Sequence, residues 1–336
     1  DLSCWNVSSV TNHLNFSEHW GEGNQEPNWG TAGCNNAFVF TIQRVEEFYI
    51  KAKAGIDFVY NYDIDCDSDG INEGFSQTGD FVCEYDLANS GLTETISITG
   101  KFASLGFHNG GSRYLRRINN WGGIEWREFE DTFHDAVYLT GIDQGAGVPD
   151  LSRVENMTRM FKNAGQFSAD LSAWDTSNVR FMEETFYGAT QFDSNLSSWN
   201  MGNVISAEGM FQGTYEFSSD LSLWDMSSAN NLSRMFQSTW LFDSNLSDWD
   251  VRGVRKMNAM FQDAKSFARQ DLSCWIVSLS VQHQDFSTNW GVGSVEPNWD
   301  GTRCPRKDFV DRETAFQIVV TGRRFGILND HFNSSL

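Results

Sequence analysis

The 336-residue chain has only four prolines, and its apolar runs stay far below the length of a membrane-spanning helix. Such a helix needs about 18 or more consecutive apolar residues, so the sequence predicts no membrane span. Catalytic motifs are missing as well, since there is no HExxH zinc motif, no nucleophile elbow and no phosphate-binding loop. The six histidines show no metal-ligand spacing. We therefore expect a protein that is not an enzyme.

Basic residues are scarce relative to acidic ones. There are 24 Lys and Arg against 45 Asp and Glu, which gives a formal net charge of −21. An acidic surface repels nucleic-acid phosphates and anionic membrane surfaces, so neither is an expected partner. The balance fits an extracellular protein or one that collects divalent cations.

Aromatic residues, by contrast, are abundant and regularly spaced. Phenylalanines recur 25 residues apart, and leucines and tryptophans follow in step. The leading positions are Phe161, Phe186, Phe211, Phe236 and Phe261, followed by Trp174, Trp199, Trp224, Trp249 and Trp275. A period of about 20 to 50 residues is typical of solenoids, whose units bury their apolar faces by stacking on each other. We expect these rings to form the core.

Each repeat predicts two short elements. Apolar spacing predicts a helix over Asn178–Phe186, with Ser177 or Asn178 as its cap, and Asp170–Trp174 is the expected strand. The residue before the recurring Leu is always Asp or Asn, which predicts a side-chain ladder that caps backbone groups. That ladder comprises Asp170, Asn195, Asp220, Asn245 and Asp271.

The six cysteines favour three local disulfides, because one spacing of 30 residues occurs twice in matching sequence. The expected pairs are Cys4–Cys34, Cys66–Cys83 and Cys274–Cys304. They imply an oxidising compartment, although free buried thiols are the alternative. Seven N-x-S/T sequons are either glycan acceptors or structural asparagines. They begin at Asn6, Asn15, Asn156, Asn195, Asn231, Asn245 and Asn333.

The repeated pattern M-F…A…F…D-L-S…W-D…S-N-V over about residues 160–275 resembles the BspA-type leucine-rich repeats of microbial surface proteins. Residues 36–112, with YNYDIDCDSDG, TGDFVCEY and ISITGKF, are similar to the PKD-like β-sandwich that often precedes such arrays. The resemblance implies an α/β solenoid, with one short strand and one short helix per 25-residue coil, plus an all-β immunoglobulin/PKD-like sandwich. It also implies a role in cell-surface attachment or extracellular structures.

The expected organisation has four parts. Residues 1–34 are a disulfide-closed cap that copies the C-terminal cap 271–304. Residues 35–112 form the sandwich, and 113–304 form the solenoid that the C-terminal cap closes. Residues 305–336 do not align with residues 35–66 and are either the start of a next module or a linker. Because no repeats precede the first cap, we expect a longer tandem protein or docking of that cap on another subunit.

The candidate metal ligands lie in the segment DIDCDSDGINE. Asp65, Asp67 and Asp69 alternate, Gly70 takes the sixth position, and Glu73 follows as a direct or water-mediated ligand. Alternating carboxylates before a glycine are typical of the start of a calcium loop, in which hard oxygen ligands converge on one Ca²⁺. The twelfth position is Ser76 rather than the usual Glu. The alternative is therefore an acidic turn braced by a disulfide.

Together these features predict an extracellular or cell-surface, non-enzymatic module for adhesion or for building a fibre, sheath or appendage. Its expected partners are further copies of itself, in a head-to-tail filament, or other surface proteins. The competing hypothesis is a calcium-dependent ligand-binding module with carbohydrate as the leading ligand. An exposed aromatic cluster outside the periodic core would favour that second hypothesis.

Overall fold

The computed structural model describes residues 36–55, 58–86, 91–107 and 110–301. Its strands are short and lie in the first part of the chain. They are β1 (Phe38–Gln43), β2 (Glu47–Ala52), β3 (Tyr60–Asp65), β4 (Gly74–Gln77), β5 (Phe81–Glu84), β6 (Thr93–Phe102), β7 (Leu105–Phe107), β8 (Leu115–Asn120) and β9 (Gly141–Ile142).

The strands form two sheets that pack face to face. A six-stranded sheet has the order β4-β3-β6-β1-β8-β9, and a three-stranded sheet has the order β5-β2-β7. Alternate residues of β1 are fully buried, as the pleat of a strand requires. The ring of Phe40 in β1 lies 6.1 Å, centre to centre, from both Phe48 and Phe107 in the second sheet. The space between the sheets is thus an aromatic core.

Residues 127–290, which we call the repeat region, are held together by isolated parallel β-bridges. The bridged residues are 25 positions apart, except for the last pair, which is 26 apart. They run Asn156–Phe181, Phe181–Ser206, Ser206–Asn231, Asn231–Lys256 and Lys256–Gln282. With that one exception, the separation of bridged residues in consecutive repeats thus equals the 25-residue period of the sequence.

Four backbone N–H groups of each repeat donate to carbonyls of the next repeat. In one such interface the donors are Met182, Glu184, Phe186 and Gly188, and the acceptors are Ser206, Glu208, Met210 and Gln212, at 2.7–2.9 Å. Intervening N–H groups donate within the repeat and close tight turns, as from Tyr187 to Glu184 at 3.1 Å. Alternate backbone N–H groups therefore bond to the next repeat, and the remaining N–H groups close turns within their own repeat.

The prediction of an α/β solenoid is wrong. The described residues contain no α-helix, their regular structure is nearly all β, and the 3-10 turn Gly111–Tyr114 is the helical element among them. The helix predicted over Asn178–Phe186 fails because left-handed residues recur four positions apart, with φ of 53° at Glu184 and 68° at Gly188. An α-helix requires φ near −63° throughout.

The strand predicted over Asp170–Trp174 is also absent, since the chain turns at Ser172 and Ala173, and the bridge lies at Phe181. Neither predicted cap caps a helix. The Ser177 N–H donates to Asp175 Oδ1 at 3.0 Å, and the Asn178 side chain donates to the Ser152 carbonyl at 2.9 Å.

The predicted core and capping ladder are confirmed. Consecutive phenylalanine rings stack 5.5–5.8 Å apart. The indole N–H groups of the periodic Trp199, Trp224, Trp249 and Trp275 each donate to a leucine carbonyl of the preceding repeat at 2.9 Å. The Asp or Asn before each Leu accepts a backbone N–H two residues later, at 2.9–3.1 Å. Four of the sequon asparagines accept the same kind of bond, namely Asn156, Asn195, Asn231 and Asn245.

One buried hydrophobic cluster extends from Phe38 in β1 to Phe286 near the end of the repeat region. Trp126 meets Phe38 edge-on, with ring centres 5.1 Å apart, and Trp121 meets Trp174 at 5.4 Å. The sheets and the repeats therefore share a continuous core.

Several predictions fall outside the described residues. These are the cap over 1–34, the segment 305–336, and the disulfides Cys4–Cys34 and Cys274–Cys304, of which only Cys274 is described. Within the ranges that the structure describes, no helix has the length and apolarity to cross a membrane.

Candidate metal centre

The acidic loop, residues 65–73, connects two neighbouring strands of the large sheet. Asp65 is the last residue of β3, and Gly74 is the first residue of β4. Tyr62 and Ile64 of β3 are buried in the core, which fixes the end of the strand. Pairing of β3 with β6 on one side and β4 on the other therefore fixes both ends of the loop.

Asp65 organises the turn. One of its oxygens accepts the N–H groups of Asp67 at 3.2 Å and Ser68 at 2.6 Å, and the other accepts the N–H of Gly70 at 3.0 Å. Gly70 has a φ of 88°, which a residue with a side chain rarely adopts. The backbone conformation of this turn therefore favours glycine at the sixth position of the motif.

The next two carboxylates repeat the motif on a smaller scale. Asp67 accepts the N–H of Asp69 at 3.2 Å, and Asp69 accepts the N–H of Ile71 at 2.7 Å. Glu73 then returns to the start of the loop, where it accepts the N–H of Cys66 at 2.6 Å. Each of these hydrogen bonds restrains the orientation of one carboxylate.

The four predicted ligands converge. Asp65, Asp67, Asp69 and Glu73 each offer one carboxylate oxygen, and these oxygens all lie within 4.8 Å of one another. The cluster could hold a metal ion. Ser76, the twelfth residue of the motif, instead donates its N–H to Asp63 at 2.7 Å. This bond joins β4 to β3 and does not involve the carboxylate cluster.

The electrostatics of the cluster are unfavourable for four bare carboxylates. Burial raises the pKa of the Asp65 carboxyl above its ordinary value, although the N–H groups that it accepts counteract this. Burial also raises the pKa of Glu73, and the negative charges of Asp65 and Asp67 add to that effect. A cation among these oxygens would stabilise the ionised forms.

The loop is braced on two sides. The predicted Cys66–Cys83 disulfide is confirmed and ties the loop to β5, with Cα atoms 5.7 Å apart. The Tyr85 hydroxyl donates to the Cys66 carbonyl at 2.6 Å, and the Ser68 hydroxyl donates to the Thr95 carbonyl of β6 at 2.8 Å. These contacts reduce the freedom that the loop would lose on binding an ion.

The described histidines have other surroundings. His134 lies 3.5 Å from Asp131 and 3.4 Å from Asp135, and His283 stacks on Trp299 with ring centres 4.0 Å apart. They pair with carboxylates or pack on aromatic rings and lie apart from the acidic loop in sequence.

An exposed aromatic pair was missed from the sequence. Tyr215 and Trp240 occupy one repeat position, and their rings stack in solvent. The available signal was that this position holds Gly165, Thr190 and Lys265 in other repeats, so it is not a core position.

Comparison with known proteins shows a similarity in the repeat region. Residues 127–239 and 207–290 match the model of a family described as "Mycoplasma protein of unknown function, DUF285". No curated protein and no solved structure matches the chain. Together the two matched segments span residues 127–290, slightly under half of the chain, so the repeat region is similar to a family whose function is unknown.

Proposed function

We propose that this protein is an extracellular, non-enzymatic surface module for adhesion or for building a fibre, sheath or appendage, and that it self-associates head to tail. The observation that carries this proposal is the uniformity of the repeat region. Each described interface from Met157 to Thr288 uses four N–H groups that donate to the following repeat. A region whose repeats are joined by equivalent contacts presents a repeating surface, which suits structural and adhesive roles.

The continuous core supports a role in which the protein transmits mechanical force. Trp121, which follows β8, contacts Phe38 of β1 at 5.6 Å and Trp174 of the repeats at 5.4 Å. Force applied to the repeats would therefore reach the sheets through packed rings rather than through a flexible linker.

The acidic loop supplies the proposed cofactor, which is Ca²⁺. Asp65, Asp67, Asp69 and Glu73 would hold it, because hard carboxylate oxygens that converge within one loop suit calcium. Its role would be structural, since it would neutralise the repulsion in the loop and stiffen the β3–β4 hairpin. Extracellular modules bind calcium with dissociation constants of about 10⁻⁴–10⁻³ M, so a site of modest affinity would suit this compartment.

The disulfide supports the proposed compartment. Cys66 and Cys83 are bonded in the folded protein, and such bonds persist mainly in oxidising surroundings. The excess of acidic residues fits an exported protein that stays soluble.

Self-association is tested with the intact protein over a concentration series in calcium-containing buffer. Static light scattering should show an average mass that rises with concentration, and negative-stain electron microscopy should show linear particles. A closed contact would stop at a dimer, whereas a head-to-tail contact continues. A monomer mass at every concentration would overturn the assembly proposal and leave adhesion to other proteins.

A further inference from the structure

Two stacked aromatic side chains of the repeat region lie outside its core. Tyr215 is 36% exposed and Trp240 is 48% exposed, whereas the periodic Trp249 is 4% exposed. They lie 25 residues apart, in consecutive repeats, and their rings stack with centres 4.3 Å apart and planes 20° from parallel. Each ring restrains the other, so the pair is a preorganised surface feature.

The fold does not require rings at this position. The equivalent residues in other repeats are Gly165, Thr190 and Lys265. The repeat therefore folds with glycine, a small side chain or a charged side chain at this position. Contiguous exposed apolar surface that packing does not demand is a mark of interaction sites, and the stacked pair forms such a surface on a small scale.

The two ends of the stacked pair differ. On one side the Lys265 ammonium lies over the Trp240 ring, 5.9 Å from its centre. On the other side the preceding repeat offers only Thr190, whose hydroxyl donates to the Gly165 carbonyl at 3.0 Å. No ring among the described residues contacts Tyr215 besides Trp240. The face of Tyr215 on the Thr190 side, which we call the open face, therefore has no described ring stacked on it, and Tyr215 is 36% exposed.

The surroundings of that face are polar. Glu216 donates its N–H to the Thr190 carbonyl at 3.4 Å, and Gln191 donates its N–H to Gly165 at 3.2 Å, so both residues flank Thr190. Both are exposed and carry groups that can bond hydroxyls. The face thus combines one aromatic surface with hydrogen-bonding groups at its rim.

We propose that Tyr215 and Trp240 bind a neutral carbohydrate, with the C–H face of a pyranose ring on the open face of Tyr215. Ring faces carry negative partial charge and attract such weakly positive C–H groups. Nucleic-acid bases fit less well, because the charge of −21 repels their phosphates. Organic cations are usually held by a cage of several rings, not by one open face.

This inference goes beyond the proposed function, since the site includes no residue of the acidic loop and no contact between copies. A single sugar on one ring has few atoms in contact, so its affinity is limited. We expect measurable binding to come from polysaccharides that present many sugars, to which each protein can rebind.

The test is native affinity electrophoresis of the intact protein through gels that contain a soluble β-glucan, an α-mannan or a galactan. We expect retardation in at least one gel. Tyr215→Ala should raise the apparent dissociation constant about tenfold or more, as removal of an anchoring ring does. Thr190→Tyr should do the same by placing a ring on the open face of Tyr215. A chelator should leave binding unchanged.

Leu223→Ala is the matched control, because Leu223 is an exposed apolar residue at another repeat position. It should bind like the wild type, and thermal melts should show that all variants are folded. Absence of retardation in all three gels would overturn the inference, as would equal retardation of wild type and both site variants. If Tyr215→Ala instead lowers the mass measured by light scattering without any retardation, the pair is a contact between copies and the inference is wrong.

Discussion

The indole ring of Trp121 meets that of Trp174 edge-on, with ring centres 5.4 Å apart and planes at 86°. Trp121 directly follows strand β8, and Trp174 belongs to the repeat region, so this contact joins the two parts of the molecule. Edge-to-face pairs are favourable beyond their buried area by about 0.5–1.5 kcal/mol. The sheets and repeats should therefore unfold together.

Calorimetry of the intact protein should accordingly show one main transition that includes both parts. Trp121→Ala should split it into two, because the cavity removes contacts to Phe38, Phe133 and Trp174 at once. Two well-separated transitions already in the wild type would show that the shared core does not couple the parts.

Trp224→Ala should lower the free energy of unfolding by about 3–5 kcal/mol, as large aromatic truncations in cores do. The side chain is buried, stacks on Trp249 at 6.3 Å and donates to the Leu196 carbonyl at 2.9 Å. Its neighbour Leu223 is 87% exposed, so Leu223→Ala should change stability by less than about 0.5 kcal/mol. Denaturant titrations of both variants measure the two changes. Similar losses of unfolding free energy in the two variants would contradict the prediction.

The Asp and Asn ladder predicts how stability depends on pH. The backbone N–H and hydroxyl of Ser222 donate to Asp220 and hold the pKa of its carboxyl below the ordinary value. A depressed pKa in the folded state adds stability above the unfolded pKa of about 4, and this stability is lost as pH falls through the folded pKa. The repeats should therefore weaken in acid.

Asp220→Asn should reduce the loss of folding stability in acid while leaving the stability at pH 7 nearly unchanged. Asn195 and Asn245 make the same bond at 3.1 and 3.0 Å in adjacent repeats, so an amide fits. Asp220→Ala, which removes the acceptor, should instead be destabilising at every pH. Melting temperatures of the three proteins from pH 7 downward test this, and parallel curves for wild type and Asp220→Asn would contradict it.

Removal of the Cys66–Cys83 disulfide by a double substitution to Ser should cost about 3 kcal/mol, given a closed loop of this size. The two residues are 17 positions apart. The variant should also bind calcium more weakly, because the Cys66 N–H that holds Glu73 loses its anchor. Denaturant titration measures the first effect, and unchanged stability would show that Tyr85 and Ser68 suffice to hold the loop.

The sequence predicted which side chains are buried better than it predicted how the backbone runs. Met157, Met160, Phe161 and Ala164 are buried with the spacing of a helix face. Successive turns with left-handed residues produce the same spacing, and Arg159 at a φ of 55° carries no sequence mark of that conformation. Glycine at the equivalent Gly209 was the available hint that a helix would not form there.

The candidate metal centre was predictable because its ligands lie within nine consecutive residues, so local spacing alone decides their convergence. The aromatic pair Tyr215 and Trp240 was not predicted, since exposure depends on where the repeat places that position, which spacing along the chain does not show. Comparison of one position across repeats would have separated these rings from the core.

Isothermal titration calorimetry of the metal-free intact protein tests whether the acidic loop binds calcium. Asp67→Asn combined with Asp69→Asn keeps the oxygens that accept the N–H groups of Asp69 and Ile71 but removes two charges. Asp63→Asn is the control, because Asp63 lies next to the cluster but outside it.

The wild type and the Asp63→Asn control should each bind one Ca²⁺ per chain with matching affinity and bind Mg²⁺ more weakly, because Mg²⁺ demands stricter geometry. The double variant should show no binding heat while its melting temperature without calcium stays at or above that of the wild type. Absence of binding heat in the wild type, or equal binding by the double variant, would contradict the claim and leave the loop as an acidic turn held by its disulfide.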